Sequence, residues 1–245
     1  MRFSSILTAA AIVLMPALLN AQDQDLQLRD VWASGSLLPE RFSSVTHLAD
    51  GKHFTRLKSN RSRQSQFILR YSYEEAEPLD TLFKSTELAN IDDYSFSASE
   101  RYLLLKTQTQ PIYRYSTRAV FYIYDREEDR MTPVHNAEHV MYATLSPDEE
   151  RVAYVHDNDL YIQPIDGEKP KAVTTDGEKN RILNGRSDWV YEEELNLVKA
   201  FEWAPDGKRL AYYRFNESAL PTFSLKKYAD SNYPARYTYK YPKVG

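Results

Sequence analysis

Three consecutive glutamates, Glu192, Glu193 and Glu194, follow Asp188-Trp189-Val190-Tyr191. Asp188 is a good N-cap residue, so the triplet falls in the first two turns of a short helix, where the helix dipole favours negative charge. The plain chemistry of such a segment is a solvated, dipole-stabilised acidic face. Arg114 and Arg118, in and after Ile112-Tyr113-Arg114-Tyr115-Ser116, are cations whose plain reading is surface charge. His135 and His139 stand four residues apart around Asn136-Ala137-Glu138. On a helix that pair could bind zinc with a third ligand. It follows Thr132-Pro133 in a connection between strands, so neither a metal nor a cofactor is expected. Nucleophilic chemistry has no visible carrier. The chain has no cysteine, and none of its 7 glycines falls in a G-x-S-x-G, G-x-G-x-x-G or G-x-x-x-x-G-K pattern.

The elements that would position these residues come from a repeat. Trp203-Ala204-Pro205-Asp206-Gly207-Lys208-Arg209-Leu210-Ala211-Tyr212 is closely matched by Leu145-Ser146-Pro147-Asp148-Glu149-Glu150-Arg151-Val152-Ala153-Tyr154. Phe96-Ser97-Ala98-Ser99-Glu100-Arg101-Tyr102 is a looser copy, and His47-Leu48-Ala49-Asp50-Gly51-Lys52 the faintest. Their starts lie 49, 49 and 58 residues apart. Each copy reads as a strand end, a tight turn and an apolar restart. Val120 to Asp125 and Leu160 to Ile162 supply further β-branched and aromatic runs. Several short strands per repeat of this length predict blades of a β-propeller rather than a helical solenoid. The fold class is therefore all-β, a partial propeller of three to four blades with a helical excursion at 188–195. Propellers close with four to eight blades, so a larger ring is expected. Tyr239 to Gly245 reads as a strand still in progress.

Composition agrees. The 245 residues are 42% hydrophobic, 27% charged and 13% aromatic, which excludes disordered and coiled-coil classes. A net charge of -4 gives no reason to expect nucleic acid. Arg2 followed by the apolar run Ile6–Leu19 has the proportions of a signal peptide, with cleavage after Ala21. The expectation is export, and the lack of cysteine suits a bacterial periplasm or cell envelope.

Asp188-Trp189-Val190-Tyr191-Glu192-Glu193-Glu194 resembles the signature of the dipeptidyl peptidase IV family of serine exopeptidases. The likeness extends through 145–162, 203–216, Tyr233-Pro234 and Tyr241-Pro242-Lys243, and covers most of 25–245. It implies that 22–245 is the N-terminal part of an eight-bladed propeller. The later blades and a catalytic α/β-hydrolase domain are absent from this chain. It also implies that Glu193 and Glu194 bind the free α-amino group of a peptide substrate, and that Arg114 contacts the carboxylates and a substrate carbonyl. An α-amino group is mostly cationic at neutral pH, and two adjacent carboxylates gain from sharing a cation. Such a clamp acts as a ruler for dipeptide release, X-Pro or X-Ala, by the intact enzyme. Asn196-Leu197 departs from the family pattern, which has an aromatic residue and a serine there.

On this reading the chain alone is inactive. Its partners are peptides with a free N-terminus and the hydrolase domain, and the intact protein could be a homodimer. Two alternatives stay open: a tripeptidyl ruler, and a non-catalytic envelope propeller that binds protein or peptide partners.

Overall fold

The computed structural model describes residues 26–34, 37, 45–60, 65–75, 77–85, 88, 90–228 and 232–243. The signal-peptide segment 1–21 lies outside them. The chain divides into two units, 1–42 and 43–245. In the first, α1 (Leu28–Trp32) is a single turn held by a Gln27–Asp30 capping box. Among the described residues, every strand lies in the second unit.

Three four-stranded antiparallel sheets follow one another along the chain. The first joins β1 (Thr46–His47), β2 (His53–Ser59), β3 (Gln66–Ser72) and β4 (Pro78–Ser85). Next come β5 (Ile91–Phe96), β6 (Tyr102–Pro111), β7 (Thr117–Asp125) and β8 (Arg130–Pro133). The third sheet comprises β9 (Met141–Leu145), β10 (Arg151–His156), β11 (Asp159–Pro164) and β12 (Lys171–Ala172). Each is an up-and-down meander, the form of a propeller blade.

The fourth repeat is broken up. β13 (Ile182–Asn184) precedes α2 (Trp189–Leu195), and β14 (Phe201–Trp203), β15 (Leu210–Tyr212) and β16 (Arg214–Asn216) follow it. β13 pairs with β16 and β14 with β15, so the excursion separates two halves of one blade. β17 (Thr222–Lys227) and β18 (Ala235–Lys240) form a hairpin. β18 ends at Lys240, short of the expected continuation: Pro242 offers no N–H, and it restricts Tyr241 before it.

The repeated phrase has one backbone geometry. In each copy the first turn residue, Leu48, Ser97, Ser146 or Ala204, hydrogen-bonds across the turn to His53, Tyr102, Arg151 or Arg209 at 2.7–3.0 Å. The residue at the tip of each turn, Gly51, Glu100, Glu149 or Gly207, is left-handed, with φ of 58–69°. The same turns stitch neighbouring blades. Glu100 accepts from the Ala49 N–H, Glu149 from the Ser99 N–H and hydroxyl, and Arg151 donates to the Gly207 carbonyl. A Cβ on Gly207 would stand 2.3 Å from the Asp148 carboxyl carbon, so close approach as well as φ requires glycine there.

Three apolar clusters fill the spaces between successive blades. Ile68, Phe83, Leu103 and Leu105 lie in the first, and Leu104, Phe121, Val152 and Tyr154 in the second. Met141, Val155, Leu160, Phe201 and Trp203 make the third, where the fourth repeat docks on the third blade. The fold is an all-β partial propeller, as the repeat predicts.

Candidate functional site

The excursion of residues 185–200 leaves the sheet through a closed neck. Ala200 N–H donates to Gly185 O at 3.0 Å, Arg186 bridges to Lys199, and the Ser187 hydroxyl donates to Leu197 O. Gly185 has φ 71°, and a Cβ there would press on Val155 and Leu160. α2 starts where the sequence predicts. Asp188 is the N-cap, and its carboxylate accepts the Tyr191 N–H at 2.8 Å. Asn196 caps the other end in the left-handed region, with φ 54°. Asparagine tolerates that conformation, which accounts for one half of the Asn196-Leu197 departure. Aromatic contacts dock the helix: Trp189 on Tyr239 and Tyr241, and Tyr191 edge-on to Phe215.

The three glutamates have three different environments. Glu192 is 2% exposed, and its Oε1 accepts the N–H groups of Tyr115 at 2.6 Å and Ser116 at 2.8 Å. A charge-assisted pair of this kind fixes the Arg114–Ser116 turn to the helix. Glu193 is half-buried and takes Arg114 Nε at 2.8 Å on its Oε2. Glu194 is exposed and has no hydrogen-bond or ion-pair partner among the described residues. The structure therefore brings Arg114 and Glu193 together, while Glu194, the next residue on the helix, is exposed. Arg118 is directed elsewhere, to Gln110 Oε1 at 2.9 Å. Positioning by Glu192 is the part that sequence reasoning misses, because three identical neighbours carry no mark of which one is buried.

A cavity of about 400 Å³ opens at the N-terminal end of α2, lined by Tyr113, His156, Arg186, Asp188, Trp189 and Glu217 among others. Arg114, Glu193 and Glu194 do not line it. Glu217, 5% exposed, has its pKa pushed up to about 7 by burial and by the nearby Asp188 charge, against the opposing pull of Arg186. Burial raises the phenols of Tyr113 and Tyr142 as well, and Tyr237 adds to the effect at Tyr113.

His139 is not paired with His135 as a helix would pair them. Residues 135–137 are left-handed, with φ of 47°, 55° and 63°, and His139 Nε2 faces Gln108 O.

Successive meander blades with a carboxylate-rich helix inserted in the last repeat define a class, the partial β-propellers. Within it, residues 97–245 match the model of the dipeptidyl peptidase IV N-terminal region, and the chain belongs to that family. The crystal structure of Porphyromonas gingivalis dipeptidyl peptidase 4 superposes with a TM-score of 0.79 at 37% identity, covering 91% of this chain and 32% of that one. Mouse prolyl endopeptidase FAP is 36% identical over 181 residues, 73% of this chain and 24% of its own. Rat inactive dipeptidyl peptidase 10 is 27% identical over 253 residues, 98% of this chain and 30% of its own. The chain thus spans about a quarter to a third of the length of these relatives.

Proposed function

We propose that this propeller segment recognises the α-amino group of peptide substrates for a serine-type dipeptidyl peptidase, with Glu193 and Glu194 as the clamp. The carrying observation is the Arg114–Glu193 ion pair next to an unpartnered Glu194 on a helix whose remaining glutamate anchors the arginine turn. Arg114 offsets the repulsion between the two carboxylates and leaves one of them open to an ammonium group. The rest of the protein supplies the hydrolase domain with nucleophile, base and oxyanion hole, and its position relative to the clamp sets release of X-Pro or X-Ala dipeptides. On this reading the exposed faces of β15 and β17 receive further blades, and the protein is exported to the periplasm or cell envelope.

The experiment is a comparison of kcat/KM for an X-Pro substrate in the intact protein. Glu193→Ala and Glu194→Ala should each lower it by roughly 30-fold, the equivalent of about 2 kcal/mol for a charge-assisted hydrogen bond. Unchanged values in both variants would rule out the clamp. The match to a relative named as inactive keeps a second reading, a non-catalytic propeller that binds peptides. That reading predicts peptide binding without turnover by the intact protein.

A further inference from the structure

Where the β8–β9 connection meets the end of β10, three side chains converge. His135 lies in the connection after β8, Glu138 three residues on, and His156 ends β10. One donor atom from each lies within 4.8 Å of the other two. Glu138 Oε2 is 4.0 Å from His135 Nε2 and 3.7 Å from His156 Nε2, and the two rings face each other at 4.1 Å between centroids. Donors around a tetrahedral zinc at about 2.0–2.1 Å stand about 3.3 Å apart, so the carboxylate needs to approach each ring by less than about 1 Å.

The hydrogen bonds behind the rings select the tautomers. His156 Nδ1 faces the carbonyl of His139 at 3.3 Å, and a carbonyl only accepts. That nitrogen therefore donates, and Nε2, on the Glu138 side, is the one that a metal would take. His135 Nδ1 meets the Tyr154 hydroxyl at 2.9 Å, and that hydroxyl has Gln163 Oε1 as an acceptor 3.5 Å away. Tyr154 can thus donate to Gln163 and accept from His135 Nδ1, again leaving Nε2 free. Backing of this kind is what orients histidine ligands in metal proteins. The connection is held in place for it: the His135 N–H donates to Gln163 Oε1 at 2.9 Å, and Gln163 Nε2 donates to Pro133 O at 3.1 Å. The left-handed run 135–137 then returns Glu138 beside both rings.

We infer that His135 Nε2, His156 Nε2 and a Glu138 carboxylate oxygen form a binding site for a zinc-class divalent transition metal. The exposed Asp157, whose Oδ2 is 3.5 Å from His156 Nε2, or water completes the shell. Two imidazoles and one carboxylate suit zinc and its neighbours over calcium or magnesium, which take oxygen ligands. The expectation of no metal weighed His135 with His139 and rested on their setting in a connection between strands. The structure replaces His139 by His156, twenty-one residues along from His135 and outside any local spacing motif. The ion would tie the β8–β9 connection to the β10–β11 hairpin at the edge of the cavity that His156 and Asp157 line.

The test is calorimetric titration of Zn²⁺ into tag-free, chelator-stripped full-length protein, with Co²⁺ absorption as a second signal. One equivalent should bind, with visible Co²⁺ bands of a tetrahedral site. Glu138→Ala and His156→Ala should abolish binding, and His139→Ala should leave it intact. Tyr154→Phe, which removes the partner of His135 Nδ1 together with the long bond to Gln163, should weaken it by about tenfold. Glu138 is exposed, so its substitution leaves the blade folded. No binding by the parent protein, or binding that survives Glu138→Ala and His156→Ala, would overturn the site.

Discussion

The second and third blades and the fourth repeat share one turn but not one architecture. In the former, eight strands form two complete meanders whose facing surfaces are buried, with Leu104, Ile123, Val152 and Tyr154 at 0–5% exposure. In the latter, six strands form three separate pairs, β17 is exposed along its whole length, and Tyr212, Tyr213, Phe223 and Leu225 face solvent. The turn at Ala204–Arg209 is nonetheless intact, so the irregularity comes from the excursion and not from decay of the repeat. Burial is concentrated where the repeat is regular, and the glutamate helix sits where it is interrupted.

That contrast can be broken by truncating matched leucines. Leu105→Ala, in the cluster between the first and second blades, should cost about 3 kcal/mol in denaturant unfolding, whereas Leu225→Ala on exposed β17 should cost under about 0.5 kcal/mol. Comparable losses would mean that the fourth repeat is as tightly packed as the others. At the junction of the two regions, Glu192→Ala leaves the buried N–H of Ser116 and its neighbour unpaired. It should cost about 2 kcal/mol of stability and lower kcat/KM by freeing the Arg114 turn, with Glu192→Gln recovering part of both.

Within the fourth repeat, Glu217 makes stability depend on pH. Its folded pKa of about 7 lies above the ordinary carboxylate value, so the folded state holds the proton more tightly than the unfolded chain. Its stabilising effect is complete below the unfolded pKa, near 4.5, and is lost as pH rises through about 7. Glu217→Gln should remove a decline on the order of 2 kcal/mol between those limits, visible as a flattened Tm-against-pH curve. The smallest effect concerns the shared turn. Gly207→Ala should destabilise by about 1 kcal/mol through its left-handed φ and the contact with Asp148, and a neutral result would show that the fourth turn is slack.

Much of this architecture is legible in the sequence because the turn phrase is a backbone instruction. Asp or Ser followed by Gly or Glu at a fixed offset makes the same left-handed corner four times, and the β-branched and aromatic runs restart the strands. The acidic helix is legible through its cap, Asp188, and the glutamate triplet through its likeness to a family signature. The role of Glu192 is not, since it depends on two N–H groups 76 and 77 residues away. Nor is the His135–Glu138–His156 cluster. It rests on three successive non-glycine residues in the left-handed region, which local propensity disfavours. The pairing of β13 with β16 escapes prediction for a related reason: the intervening excursion hides which short strands belong to one blade.

The central claim, that Glu193 and Glu194 read a free amino terminus, is tested most directly by a cycle on the intact protein. kcat/KM is measured for an X-Pro substrate with a free and with an acetylated α-amino group, in the parent protein and in Glu194→Gln. Acetylation should lower the parent value by at least about 30-fold and the variant value by far less, because the lost contact is already missing. An equal acetylation penalty in both proteins would contradict the assignment.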